Sequence, residues 1–474
     1  MKDLKQYLAW VVVVLFPLMN VVAERLPNFV VIFTDDQGYQ DVGCFGSPNI
    51  ATPHLDQMAK EGMRFTSFYV GAPVCTPSRA ALLTGKYPKR LGLAKGVLFP
   101  NSGNRGLAPA EITIADQLKK KNYATICIGK WHLGHLDPYL PMAQGFDRYY
   151  GIPYSNDMWL APELKMAKDL KLTAGVTREQ LELMRQKKVQ KGSRQKVPLM
   201  RDNLVVEFPA EQTTLTKRYT AETIRFIEKN KDRPFFVYLT PAMPHIPLFA
   251  SESFQGKSKG GLYGDTIEEI DWAVGQILRC LEREGLSENT LVVFTSDNGP
   301  WLSQGKNGGH ALPLHNGKGS TFEGGMRVPC IMRMPGTIPA GTTCSELALT
   351  LDLLPTFSRM AGLPMEHPID GKDIFDLIRG KSGAKTPHEF LLYYLQNGTL
   401  SAIRMGDWKL IFSVPVVGYS QRVETKKYSK KTFEPELYNL SNDIGEIHNL
   451  YSQYPEIANK MLQRAHLEAA KLAP

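Results

Sequence analysis

Several familiar signals are missing from this 474-residue chain. Its six cysteines (Cys44, Cys75, Cys127, Cys280, Cys330 and Cys344) include no C-x-x-C pair, so nothing suggests a zinc site. Beyond the first 23 residues no apolar run approaches the ~20 residues that a membrane-spanning helix needs. No internal repeat or low-complexity tract is present. The formal charge is +9, from 56 Lys+Arg against 47 Asp+Glu, yet no nucleic-acid-binding motif accompanies it, so nucleic acid is a poor candidate partner. Apolar content of 43% and charged content of 22% argue against disorder and coiled coil. What remains is an ordinary globular chain, long enough for one large core and a smaller second domain.

The first residues stand apart. Lys2 and Lys5 precede an apolar stretch over residues 8–18, and Val21-Val22-Ala23 offers small residues before Glu24. Residues 1–23 therefore read as a signal peptide, with an uncleaved anchor as the other reading. The expected destination is export, to a periplasm or outside the cell, or to a lysosome in a eukaryote. Cysteines could pair in such a compartment, although their connectivity is not readable from sequence. Much of the basic excess lies in residues 165–201 and 422–431, which read as solvated loops or as a surface that attracts polyanions.

Four near-continuous apolar runs, at residues 28–33, 124–128, 235–239 and 291–294, have the length and composition of strands buried on both faces. Helical patterns fall between them, at 112–121, 215–229 and 266–284. Alternation of this kind predicts an α/β fold, a large mixed, mainly parallel sheet sandwiched by helices. Residues 158–209 are polar, Lys-rich and helix-prone, and read as an insertion over the sheet edge. From residue 362 the pattern changes to alternating strands at 390–395 and 401–412 and a terminal helix at 454–472, which predicts a small C-terminal α+β domain. The catalytic domain is accordingly expected at 24–361 and the smaller one at 362–474.

Ligands of such sheets bind beyond the carboxyl ends of the strands. All four predicted strands deliver polar groups there: Asp35 and Asp36, Lys130 and His132, His245, and Asp297 and Asn298. Three carboxylates and an amide are hard oxygen donors suited to Ca²⁺, or less well to Mg²⁺, although Asp and Asn also favour plain turns after strands. Lys130, His132, His245, Arg79 and Lys318 can cradle a tetrahedral anion. His310 and His315, close in sequence to Lys318, either line a neighbouring subsite or lie on an exposed loop.

The stretch Pro73-Val74-Cys75-Thr76-Pro77-Ser78-Arg79 through Thr84-Gly85 is the most specific signal. Cys-x-Pro-Ser-Arg before a short apolar helix and Thr-Gly resembles the signature of the type I, formylglycine-dependent sulfatases. Residues 122–132, ending Gly129-Lys130-Trp131-His132, resemble the second signature of that family, with Asn122 where the family usually has Gly. Residues 33–43, the Gly151-Ile152-Pro153-Tyr154-Ser155 turn, Asn316-Gly317-Lys318-Gly319 and Phe322-Glu323-Gly324-Gly325 resemble arylsulfatases of the same family. The likeness covers residues 28–329, with a looser tail.

The resemblance implies an alkaline-phosphatase-like fold and hydrolysis of sulfate monoesters. It also implies Cys75 converted to formylglycine by a formylglycine-generating enzyme. Calcium would be bound by Asp35, Asp36, Asp297, Asn298 and the modified Cys75. Arg79 would steady the modified residue, Lys130 and Lys318 would hold sulfate, and Ser155 would face the substrate. His245 would protonate the leaving oxygen and His132 would act as a base. The substrate class implied is a sulfated sugar or aryl sulfate, and the basic loops favour a carbohydrate. Two other readings compete: a phosphomonoester or phosphonate hydrolase on the same kind of fold, and a glycan-binding protein that kept the fold without the chemistry.

Overall fold

The structure, a computed structural model, describes residues 25–186, 195–415 and 433–472. The expected signal peptide at 1–23 and the basic stretch at 422–431 lie outside the described residues. Among the described residues no helix is long and apolar enough to cross a membrane.

The four apolar runs form Asn28–Thr34, Ala124–Lys130, Phe235–Thr240 and Thr290–Ser296, and every residue of all four is buried. They lie side by side in one sheet. Thr290–Ser296 pairs in parallel with Asn28–Thr34, which pairs with Phe235–Thr240, which pairs with Ala124–Lys130. Burial on both faces explains why these segments carry continuous Val, Ile and Phe rather than alternation. Among the described residues the sheet has 11 strands. On one side it continues through antiparallel Cys330–Arg333 and Met63–Phe65, on the other through parallel Arg148–Ile152.

Helices cover the sheet much as the apolar stripes predict. They run over Ile114–Lys119, Leu215–Asn230 and Gly261–Arg283, the last beginning five residues earlier than its pattern because Gly261–Asp265 carries no apolar repeat. Residues 158–209 depart from the helix-prone reading. They supply one helix, Arg178–Gln186, and three strands, Lys165–Leu172, Leu199–Arg201 and Leu204–Phe208, which extend the main sheet at its edge. Half of Lys165–Leu172 is exposed, its three lysines included, so these face water. Charged residues of this kind blunt a sheet edge.

A second, four-stranded antiparallel sheet is built from Leu391–Tyr394, Leu400–Met405, Trp408–Ile411 and Glu436–Asn439, with the helix Pro455–Ala470 after it. Its Leu392, Ile403 and Leu410 join the same buried apolar cluster as Phe29 and Leu291. All six cysteines are free thiols. Cys330 and Cys344 both register against Phe65, from opposite sides of one strand, which keeps them a strand apart.

Candidate active site

Two of the polar groups at the strand ends are set by backbone that only certain residues adopt. Asp36 and His132 take φ of 64° and 60°, left-handed values uncommon outside glycine and characteristic of functional turns. Asn122 also sits at φ 58°, which accounts for glycine as the commoner residue there and for asparagine as a tolerated one. Gly129, at φ 106°, passes so close to the next strand that a Cβ would lie 2.0 Å from the Thr240 carbonyl oxygen. That close approach delivers Lys130 to the site. Cys75 opens the helix Cys75–Thr84, all of it buried, and Gly85 ends it with a left-handed cap on the Ala81 carbonyl.

The structure brings together Asp35, Asp36, Cys75, Arg79, Lys130, Asp297, Asn298 and Lys318. Arg79 lies fully buried at the centre. Its Nε and Nη2 donate to Asp297 Oδ2 at 3.0 and 2.8 Å, its Nη1 to the Lys130 carbonyl at 3.0 Å, and its Nη2 stands 3.7 Å from Asp35 Oδ1. Lys130 Nζ bonds Asp35 Oδ2 and reaches Ser155 Oγ at 3.2 Å. Lys318 Nζ donates to Asp36 Oδ2 at 2.7 Å and lies 4.5 Å from the ring centre of Trp301. Asn298 Nδ2 donates to the other Asp36 oxygen at 2.7 Å.

The two histidines differ in what fixes them. His245 turns Nδ1 toward the Asn156 side-chain oxygen at 3.2 Å and the Ile246 carbonyl at 2.5 Å, both acceptors, so Nδ1 carries the hydrogen. Nε2 then points at the acidic cluster, 3.7 Å from Asp36 Oδ2. His132 donates from Nε2 to the Leu98 carbonyl at 2.8 Å, which leaves Nδ1 without a proton, buried and without a hydrogen-bond partner. Burial, and then the charge of Lys130, hold the His132 imidazole well below its ordinary range. Burial and Lys318 lower that of His245.

Burial also pushes the Cys75 thiol up, against the opposing pull of Lys130 and Lys318. An unmodified Cys75 is therefore held as a poorly nucleophilic thiol. Burial raises Asp297, and the neighbouring Asp35 charge adds to it, while Lys130 and the other cations keep Asp35 ionised. Two carboxylates crowded into one dry crevice are thus driven in opposite directions, Asp35 toward the ionised form and Asp297 away from it.

A divalent cation fits this donor set. One ligand atom each from Asp35, Cys75 and Asp297 lie within 4.8 Å of one another. Asp35 Oδ1 and Asn298 Oδ1 are buried without a hydrogen-bond partner. Orphaned oxygens converging on a carboxylate cluster call for a charge partner. The oxygen donors of Asp35, Asp297 and Asn298 suit a hard divalent cation.

His310 and His315 fall outside this cluster. His310 is exposed and bonds Asp41 Oδ1 at 3.0 Å, while His315 stacks on Phe322 with ring centres 4.1 Å apart. Both border a cavity of about 570 Å³ with Leu312 and Ile447. Asn156, the Leu98 carbonyl and Trp301, which lies 5.5 Å from the His245 ring, were not among the sequence candidates. Asn156, directly after Ser155 in a conspicuous turn, was the one with a local signal.

Similarities to known proteins agree with this geometry. Residues 27–363 match the family described as Sulfatase, and residues 316–471 match the C-terminal region of N-sulphoglucosamine sulphohydrolase. The chain is 39% identical over 469 residues to arylsulfatase A of Homo sapiens, covering 94% of this chain and 89% of that protein. It is 37% identical over 405 residues to N-acetylgalactosamine-6-sulfatase of Canis lupus familiaris, covering 82% and 72%. The crystal structure of Ps i-CgsB in complex with k-i-k-neocarrahexaose superimposes with a TM-score of 0.75 at 30% identity, over 93% of this chain and 92% of that one. The chain belongs to the sulfatase family and is a sulfuric ester hydrolase.

Proposed function

We propose that this enzyme is exported and removes sulfate from a sulfated carbohydrate, using a formylglycine made from Cys75 and a calcium ion held by Asp35, Asp36, Asp297 and Asn298. The observation that carries the reading is the buried Asp35–Cys75–Asp297 cluster, with Arg79, Lys130 and Lys318 paired to the Asp297, Asp35 and Asp36 carboxylates. Asp35 Oδ1 of that cluster, like the oxygen of the adjoining Asn298, has no hydrogen bond. The sugar-sulfate relatives and the carrageenan-oligosaccharide complex support the substrate class. When present, the aldehyde would supply a hydrated nucleophile at residue 75 and the cation would polarise it and the sulfate oxygens.

The chain's own residues do the rest. Lys130 and Lys318 neutralise sulfate oxygens from two sides, and Arg79 locks the carboxylate that faces them. Asn156 and the Ile246 carbonyl hold the Nδ1 proton of His245 in place and aim Nε2 at the site. When Nε2 is protonated as well, the neighbouring Asp36 carboxylate favours the imidazolium, which gives its Nε2 proton to the departing alcohol oxygen. His132 is fixed in the opposite tautomer, with Nδ1 ready to accept a proton from a group at residue 75. Ser155, between Lys130 and His245, orients the substrate oxygen.

The test is mass spectrometry of the peptide containing residue 75, from protein co-expressed with a formylglycine-generating enzyme. Release of sulfate from aryl and sugar sulfates, and of phosphate from aryl phosphate, is measured on the same sample. An aldehyde together with calcium-dependent sulfate release is expected. An intact thiol despite active maturation sinks the formylglycine reading, and faster phosphate release would favour the phosphoesterase reading.

A further inference from the structure

Lys318 is carried by a loop that the second sheet grips from behind. On the active-site side the Lys318 amide donates to the Pro300 carbonyl and the Gly319 amide to the Pro73 carbonyl, both at 2.9 Å. On the far side Thr321 donates its amide to the Pro415 carbonyl at 2.8 Å, and its hydroxyl meets Ser401 Oγ at 2.9 Å. Two residues later, the Glu323 amide donates to Glu446 Oε2 at 2.6 Å. Lys409, in Trp408–Ile411, lies wholly buried between the two acids, 2.9 Å from Glu323 Oε1 and 2.7 Å from Glu446 Oε1.

Neighbours complete the network. Arg327 Nη1 stands 3.3 Å from Glu323 Oε2, Tyr393 donates to Glu323 Oε1 at 3.2 Å, and Lys409 sits 4.4 Å from the Tyr393 ring centre. A buried ion triad is a poor source of net stability, because desolvation offsets most of the attraction. It does fix geometry, since each charge must find its partner in one arrangement. Placed at the foot of a catalytic loop, that property has a use.

We propose that Lys409 is a positioning residue: the Glu323–Lys409–Glu446 triad holds the 316–323 loop so that Lys318 meets the sulfate. The inference rests on the reading of Lys318 given above. The second sheet then contributes to turnover without touching substrate, and its position in the active enzyme is set by ion pairing rather than by apolar contact alone.

A double-mutant cycle tests this. Lys409→Met combined with Glu446→Gln removes one charge of each sign, and leaves Glu323 with Arg327, Tyr69 and Tyr393. In the wild-type background this pair should lower kcat/KM for para-nitrophenyl sulfate by about a hundred-fold, the scale of a misplacement near 1 Å. It should also weaken inorganic sulfate binding in calorimetry. In a Lys318→Met background the same pair should cost less than about two-fold in either measurement, since the group it positions is already gone. Equal losses in both backgrounds would show a merely structural role and overturn the proposal, as would no loss in either. Thr321→Val, a milder cut at the same grip, gives a second cycle if the double variant does not fold, with a smaller loss that again vanishes without Lys318. If Lys318→Met alone is fully active and binds sulfate normally, the reading of the site fails instead.

Discussion

His132 and Arg79 show how single residues are committed to one job. The His132 proton is held on Nε2 by the Leu98 carbonyl, and its backbone adopts a left-handed φ of 60°. Replacing it with Ala should lower kcat by ~10²–10⁴, the usual contribution of a positioned base, as measured by steady-state sulfate release. Its titration also bears on stability. The folded state holds this imidazole below its ordinary value of 6.5, so between the two values the unfolded chain binds more protons. Stability is therefore full above about pH 6.5 and erodes as pH falls toward the folded value. Thermal scans from pH 7 to pH 5 should show a steeper fall in Tm for the wild type than for His132→Gln. Arg79 makes three hydrogen bonds in a fixed fork, two to Asp297 and one to the Lys130 carbonyl. A lysine keeps the charge but cannot reproduce the fork. Arg79→Lys should cost about 1–3 kcal/mol in urea unfolding and lower kcat/KM as Lys130 loses its anchor.

At the scale of elements, strand ends are where the chemistry is placed, and their close approach is the cost. Gly129 has no room for a side chain beside Thr240, and its φ of 106° disfavours any other residue. Gly129→Ala should destabilise by at least ~2 kcal/mol, from backbone strain plus the clash. Turnover should fall with it, because Lys130 follows directly. Equilibrium denaturation checks the first effect and kinetics on the folded fraction the second. The same elements explain what sequence could show. Strands buried on both faces are continuous apolar runs, so all four central strands and the polar residues following them were legible. Lys165–Leu172 was not, because an edge strand with one wet face and four charged residues in eight resembles a polar helix. The Leu98 carbonyl reaches His132 on a returning loop of which local pattern carries no trace, and Asn156, although its turn is conspicuous, meets His245 only across 89 residues of chain. The ion triad at Lys409 was hidden for the same reason: its three charged members come from segments up to 123 residues apart.

Across the whole molecule, the sheet gathers three carboxylates, Asp35, Asp36 and Asp297, in one buried place and sets three cations against them. In this arrangement Lys130 and Lys318 occupy carboxylate oxygens that a divalent cation would share, while Asp35 Oδ1 and Asn298 Oδ1 are buried without a hydrogen bond. Such a site should stabilise the fold when filled, because the proposed calcium would meet its ligands only in the assembled cluster and not in the unfolded chain. Mass action sets the size of the effect, about 2.7 kcal/mol at a calcium concentration 100 times Kd. Protein treated with a chelator should lose sulfate release and melt several degrees lower, and added calcium should restore both, with magnesium weaker at equal concentration. Asn298→Leu removes one neutral oxygen without changing the charge balance. Loss of the Nδ2 bond to Asp36 should lower the Tm of the chelated protein by itself, so the quantity to read is the calcium-induced rise in Tm, which should fall to a fraction of its size. An equal calcium response in wild type and Asn298→Leu would mean that calcium acts elsewhere on the molecule, and that the strand-end cluster serves only to anchor its lysines and arginine.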